Sequence, residues 1–144
     1  MKLLIVTQVV DKNHPILGFF HRWVEEFSKN CEHVHVICLQ EGSHSFPDNV
    51  TIHSLGKEGK ATSSIAYAWR LNVLSWKLRK DYDGVFVHMI PEYVIAGMPV
   101  WKLLQKKIGL WYTHGSVGWS LRIAEKMVAS IFTATEVGFN LQSK

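Results

Sequence analysis

The sequence predicts an α/β fold, a doubly wound parallel sheet of about six strands with helices on both faces. Three observations carry this expectation. Short apolar runs alternate with segments whose apolar residues recur at helical spacing. The first run, residues 2–7, is continuously apolar, as in a strand buried on both sides. The connections between runs are short and rich in turn-forming residues. At 144 residues the chain has the length of one domain with a single substantial core.

Taken in order, residues 2–7 form the first strand, and the loop Asp11-Lys12-Asn13-His14-Pro15 follows. Leu17, Phe20, Val24 and Phe27 then recur at helical spacing, opposite Arg22, Glu25, Glu26 and Lys29. Residues 34–39 and 50–55 read as strands, separated by a segment with Gly42, Pro47 and Asn49. Thr62, Ser63 or Ser64 caps a long helix to about residue 80, with Tyr67, Leu71, Leu74 and Leu78 as its buried stripe. Residues 84–89 are the fourth strand. Pro91 suits the first turn of the next helix, Pro99 is expected to kink it, and Lys102, Lys106 and Lys107 crowd its far end. Residues 108–113, 117–130 and 131–135 read as strand, helix and strand, and 136–144 as the opening of another helix. Parallel strands joined by helices require right-handed crossovers, which makes the expected domain Rossmann-like.

Composition narrows the class. With 47% hydrophobic and 19% charged residues the chain is of globular type, and its net charge of +4 favours anionic partners without choosing among them. Cys31 and Cys38 cannot build a disulfide framework and lack metal-ligand spacing, so both read as buried thiols of a cytoplasmic protein. No apolar run approaches the roughly 20 residues of a membrane span.

In open parallel sheets ligands bind beyond the carboxyl ends of the strands. Those loops carry Gln8, Asp11, His14 and Gly18, then His88, Glu92 and Tyr93, then His114, Gly115 and Ser116, and finally Thr135 and Glu136. His114, directly after an apolar strand and beside a glycine, is the candidate catalytic residue; Gly18, His88, Glu92, Gly115 and Ser116 are candidate substrate- or donor-binding residues. A dinucleotide fingerprint, a P-loop, a G-x-S-x-G nucleophile turn and an H-E-x-x-H metal motif are all missing, so no cofactor and no metal is expected, the His33 and His35 pair included. No nucleic-acid reading motif accompanies the basic residues. Trp69 and Trp76 with Lys77, Arg79 and Lys80 suit peripheral contact with a membrane surface. On these grounds alone the chain is an enzyme domain or, alternatively, a stand-alone binding module for a nucleotide or anionic small molecule.

The segments Lys2-Leu3-Leu4-Ile5-Val6-Thr7, the helix-starting Gly18, Tyr82-Asp83-Gly84-Val85-Phe86-Val87-His88, Ile108-Gly109-Leu110-Trp111-Tyr112-Thr113-His114-Gly115 and Ile131-Phe132-Thr133-Ala134-Thr135-Glu136 follow one another as in the N-terminal domain of family 4 glycosyltransferases, which the whole chain resembles. The resemblance implies one half of a two-domain GT-B enzyme that transfers sugar from a nucleotide-sugar donor to a sugar or lipid-linked acceptor with retained configuration and no metal. It implies further that residues 1–144 are the acceptor-side domain, and that a following domain holds the donor through a pair of glutamates. Gly18 would then line the donor phosphates, and His114 would approach the transferred sugar. Where many members have two adjacent glycines, this chain has Leu17-Gly18-Phe19.

Overall fold

Leu3, Leu4, Ile5 and Val6 are all buried, and that burial places their strand at the centre of the sheet. The computed structural model describes residues 1–60 and 62–134. In it β1 (Lys2–Val10), β2 (His33–Glu41), β3 (Val50–Ser54), β4 (Gly84–His88), β5 (Lys107–Trp111) and β6 (Ser130–Phe132) form one sheet in the order β3-β2-β1-β4-β5-β6. Every pairing is parallel, so the predicted doubly wound, Rossmann-like fold is present. β1 runs three residues beyond its expected end at Thr7, because Val9 and Val10 go on pairing with Gln40 and Glu41. Thr7, polar in sequence, is buried there against His88.

Alternation along the strands divides the core in two. Leu3, Ile5, Val34, Val36 and Cys38 meet α1 (Phe20–Asn30), which turns Phe20 and Val24 inward with Trp23 and Phe27 at the margin. Leu4, Val6, Ile37, Val85, Val87 and Leu110 meet a layer formed by α2 (Ser64–Lys77), α3 (Pro91–Leu103) and α4 (Trp119–Glu125). Cys38 is buried as expected, but Cys31 is only half-buried, because it ends α1 rather than lying in a strand.

The helix boundaries follow local chemistry. Ser63 caps α2 by accepting from the Ala66 amide, and the helix closes at Lys77 when Leu78 and Arg79 turn back on Leu74 and Trp76. Arg79 and Lys80 therefore follow the helix instead of extending it. Pro91 stands at the start of α3, and Pro99 lies within the helix. Residues 117–130 were expected to be one helix; α4 is shorter, because Gly118 is extended and the chain turns at Met127 and Val128 to let Ala129 bond the Ile108 carbonyl and enter β6. The expected helix 136–144, with Thr135 and Glu136, lies outside the described residues.

One polar knot ties α2 to α3 and to the turn that leads into β4. Trp101 of α3 is fully buried and donates through Nε1 to Ser75 Oγ of α2 at 3.1 Å, while the Tyr82 hydroxyl donates to the Ser75 carbonyl at 3.1 Å. Asn72 Nδ2 donates to the Ala96 carbonyl at 2.7 Å, a second tie between α2 and α3. Gly97 makes the knot possible, since a β-carbon there would lie 2.3 Å from the Trp101 ring. Although alanine is the better helix former, Gly97→Ala is expected to destabilise the fold by about 1–3 kcal/mol through overpacking. Urea unfolding of the two proteins measures it, and an unchanged midpoint contradicts the assignment.

Candidate functional site

The carboxyl ends of β1, β4 and β5 open on a cavity of about 610 Å³ whose wall includes Gln8, His14, Phe19, Lys57, His88 and His114. Each side chain is held there by local structure.

The loop after β1 is folded tightly on itself. Asp11 Oδ1 accepts from the Asn13 amide at 2.9 Å, and Lys12 N donates to the Ser43 carbonyl at 2.8 Å, which ties the loop to the segment after β2. His14 Nδ1 accepts from the amides of Leu17 at 3.0 Å and Ile16 at 3.3 Å, so in the neutral ring the proton sits on Nε2. The Gly18 amide donates to the His14 carbonyl at 3.0 Å and is already taken up. What Gly18 supplies is room, because a β-carbon there would lie 2.7 Å from the His14 carbonyl oxygen. The amides of Phe20, His21 and Arg22 likewise bond back to Leu17, Gly18 and Phe19, so α1 presents fewer free donors to a phosphate than a bare helix start.

His88 ends β4 and is 2% exposed. Its ring stacks on Phe20 at 4.0 Å between centroids, and Nδ1 shares a hydrogen bond of 3.1 Å with Thr7 Oγ1. Burial pushes its pKa from 6.5 down to about 4, so the imidazole is neutral at physiological pH. Nε2 is buried and has no partner among the described residues. An unmet polar atom in such a place costs about 1–3 kcal/mol. The next residue, Met89, has φ of 67°, and the Ile90 amide donates across it to the His88 carbonyl at 2.9 Å, the mark of a strained γ-turn. Backbone strain of about 1–3 kcal/mol concentrates at functional sites, and here it lies in the cavity wall.

After β5 the chain runs out to His114, which is exposed at the cavity mouth. The Tyr112 hydroxyl donates to the Ser116 carbonyl at 2.9 Å and fastens this loop. Gly115 and Ser116 are exposed beside His114 but do not line the cavity. Glu92 stands apart. It is exposed in the first turn of α3 and lines a different, mainly apolar cavity of about 660 Å³ with Tyr93, Ile65 and Trp119. The structure thus brings His14, His88 and His114 to one cavity, with Gly18 behind its wall, and leaves Glu92 outside.

Sequence reasoning missed Lys57, the cationic side chain among the residues lining this cavity, and Gln40 at the end of β2. Lys57 follows β3 in a loop held by Glu58, which accepts from Ser54 Oγ at 2.6 Å and from the Glu41 amide at 3.2 Å. Its position just beyond a strand's carboxyl end was the available signal. At the far side of the sheet, His35 Nδ1 and His53 Nε2 share a hydrogen bond of 3.1 Å, and burial lowers the His35 pKa to about 4.

Unfolded, His35 and His88 take up protons near pH 6.5; folded, only near 4. Unfolding therefore binds protons in that window, so stability is full above about pH 6.5 and falls as the pH drops toward 4. Thermal melts across this range are expected to show the decline, with a shallower slope in His88→Gln. An unaltered slope in that variant means His88 is not held neutral.

No protein-family model matches the chain, and no curated protein matches it in sequence. Solved structures do match in shape. UDP-GlcNAc 2-epimerase from Methanocaldococcus jannaschii is similar over 96% of this chain and 40% of its own, with a TM-score of 0.62 and 16% identity. MurG from Acinetobacter baumannii is similar over 100% of this chain and 44% of its own, with a TM-score of 0.61 and 10% identity. The chain spans less than half the length of either protein. At such identities the likeness is one of fold alone, a Rossmann-like domain with a parallel six-stranded sheet.

Proposed function

We propose that this chain is the acceptor-side domain of a family 4, retaining glycosyltransferase, and that the His88–His114 cavity is its half of the active-site cleft. One observation carries the reading: His88, buried and neutral, with an Nε2 that meets no partner among the described residues, stands in the wall of a cavity at the carboxyl edge of a Rossmann-like sheet. A neutral imidazole suits a sugar hydroxyl, which can meet it as donor or acceptor, better than it suits a phosphate. Lys57 at the same cavity supplies positive charge for an anionic leaving group.

In the reaction, the acceptor hydroxyl oxygen bonds to the anomeric carbon as the bond from that carbon to the nucleotide phosphate breaks. The hydroxyl proton passes to the departing phosphate. His114 is exposed and lines this cavity, which supports reading it as the group that touches the transferred sugar, and no nucleophile is assigned. Rate enhancement comes from positioning and from electrostatic stabilisation of the leaving group. That one structural neighbour is by name an enzyme of UDP-GlcNAc fits a nucleotide-sugar donor.

Because His114 is exposed, His114→Ala in the two-domain enzyme is expected to leave the melting temperature nearly unchanged while lowering kcat by about tenfold or more. Steady-state kinetics and melting of the same preparation check this, and near-normal turnover removes His114 from the site. Chain 1–144 alone offers one wall of a cleft and cannot exclude water from reacting groups. It is expected to transfer no sugar and to show no micromolar affinity in calorimetric titration with a panel of nucleotide sugars. Tight binding or turnover would place the donor site within these residues and overturn the division of labour.

A further inference from the structure

The layer of α2, α3 and α4 hides one face of the sheet, and its own outer surface is unusually apolar. At 100° per residue, Ile65, Trp69 and Trp76 of α2 fall within an arc of about 40°. That arc adjoins Ala68 and Asn72, and Asn72 reaches across to the Ala96 carbonyl of α3. Ile65 is 83% exposed and Trp69 70%. α3 adds Leu103, 70% exposed, and α4 adds Trp119, 69% exposed, with Ile123 beside it in sequence terms four residues on. The cavity that Glu92 lines and a second groove open on this layer, and Ile95 lines both: the first reaches Ile65 and Trp119, the second Met98, Leu103 and Met127. α3 carries only Glu92 and Lys102 as charged residues, a composition proper to a helix covered on all sides, yet Pro99, Lys102 and Leu103 are exposed.

Charge on these helices and the turns leaving them is mainly positive. Arg70, Lys77, Arg79, Lys80, Lys102, Lys106, Arg122 and Lys126 stand against Asp81, Asp83, Glu92 and Glu125. Arg79 is held to Trp76 twice, its guanidinium 4.9 Å from the indole centroid and Nη1 donating to the Trp76 carbonyl at 3.0 Å. An exposed tryptophan braced by arginine, amid isolated aliphatic side chains and lysines, matches the boundary where headgroup phosphate meets acyl chain.

We propose that the α2–α3–α4 face seats this domain on an anionic lipid bilayer. Ile65, Trp69, Leu103 and Trp119 enter the interfacial zone, and Lys77, Lys80, Lys102 and Lys126 meet the headgroup phosphates. No helix of the described residues is long and apolar enough to cross a membrane, so the contact is peripheral. The proposal does not depend on the transferase reading, since none of these residues lines the His88 cavity.

Co-sedimentation of the chain with vesicles of phosphatidylcholine, alone or mixed with phosphatidylglycerol, tests it. Binding is expected to the mixed vesicles at low salt, with a blue shift of tryptophan emission, and to weaken as salt rises to about 0.15 M, where the screening length shortens to about 8 Å. Ile65→Ser with Trp69→Ser and Leu103→Ser should abolish binding without loss of circular dichroism, because the three side chains are exposed. Lys77→Gln with Lys102→Gln should weaken partitioning by about tenfold or more, and it keeps the test valid if the serine variant misfolds. Absence of binding at low salt, binding unchanged in the variants, or a concentration-dependent dimer that the serine variant removes would each overturn the proposal.

Discussion

Leu3, Leu4, Ile5 and Val6 have no side to turn toward water, and the rest of the fold answers to that constraint. A strand buried on both faces needs helices above and below and a strand on each edge, and parallel neighbours satisfy this through right-handed crossovers. β2 and β4 flank β1, and the chain reverses its direction of winding between them. At that reversal the carboxyl ends of β1 and β4 diverge and leave a crevice. His88 and the loop after β1 meet there, so the site is a geometric consequence of the way β1 is buried.

Within the crevice the domain carries two local costs that its packing elsewhere must offset. His88 holds an imidazole in an apolar stack with one nitrogen unmet among the described residues, and Met89 sits in a backbone conformation that favours glycine. Both follow from ending β4 abruptly. The Met89 amide bonds the Trp111 carbonyl at 2.8 Å, and the γ-turn then redirects the chain into Pro91 and α3 within two residues. The knot of Trp101, Ser75 and Tyr82, far from the cavity, anchors that same helix and so keeps the turn in place.

The two faces of the sheet are covered unequally. Three helices lie on one side, while α1 alone covers the other, and no helix of the described residues replaces it over β5 and β6. Trp23, Phe27, Phe86, Trp111 and Phe132 line an open apolar groove of about 500 Å³ there, with Gly109 making room for the Phe132 ring. The asymmetry explains why large aromatic residues, rather than aliphatic ones, finish this side: broad rings shield more sheet per residue where no second helix does so.

By itself the sequence determined the class of fold, the order of its elements and the edge on which to look for a site, because these depend on periodicity and on which strands are apolar throughout. His14, His88 and His114 were legible as strand-end residues for that reason. Only the tertiary structure decided which of them share a cavity. Glu92 is four residues from His88 in sequence but faces a different cavity, since α3 begins between them and rotates it away. Gly18 reads as a phosphate contact in sequence, yet its amide is spent on His14, because a loop's hydrogen bonds depend on how it folds back rather than on its composition. Lys57 escaped notice in a loop of glycines and lysines; it gains a place in the site only when β2 and β3 pair beside β1 and carry that loop to the cavity rim. Element boundaries erred where pairing partners, absent from any local pattern, extended β1 or cut α4 short.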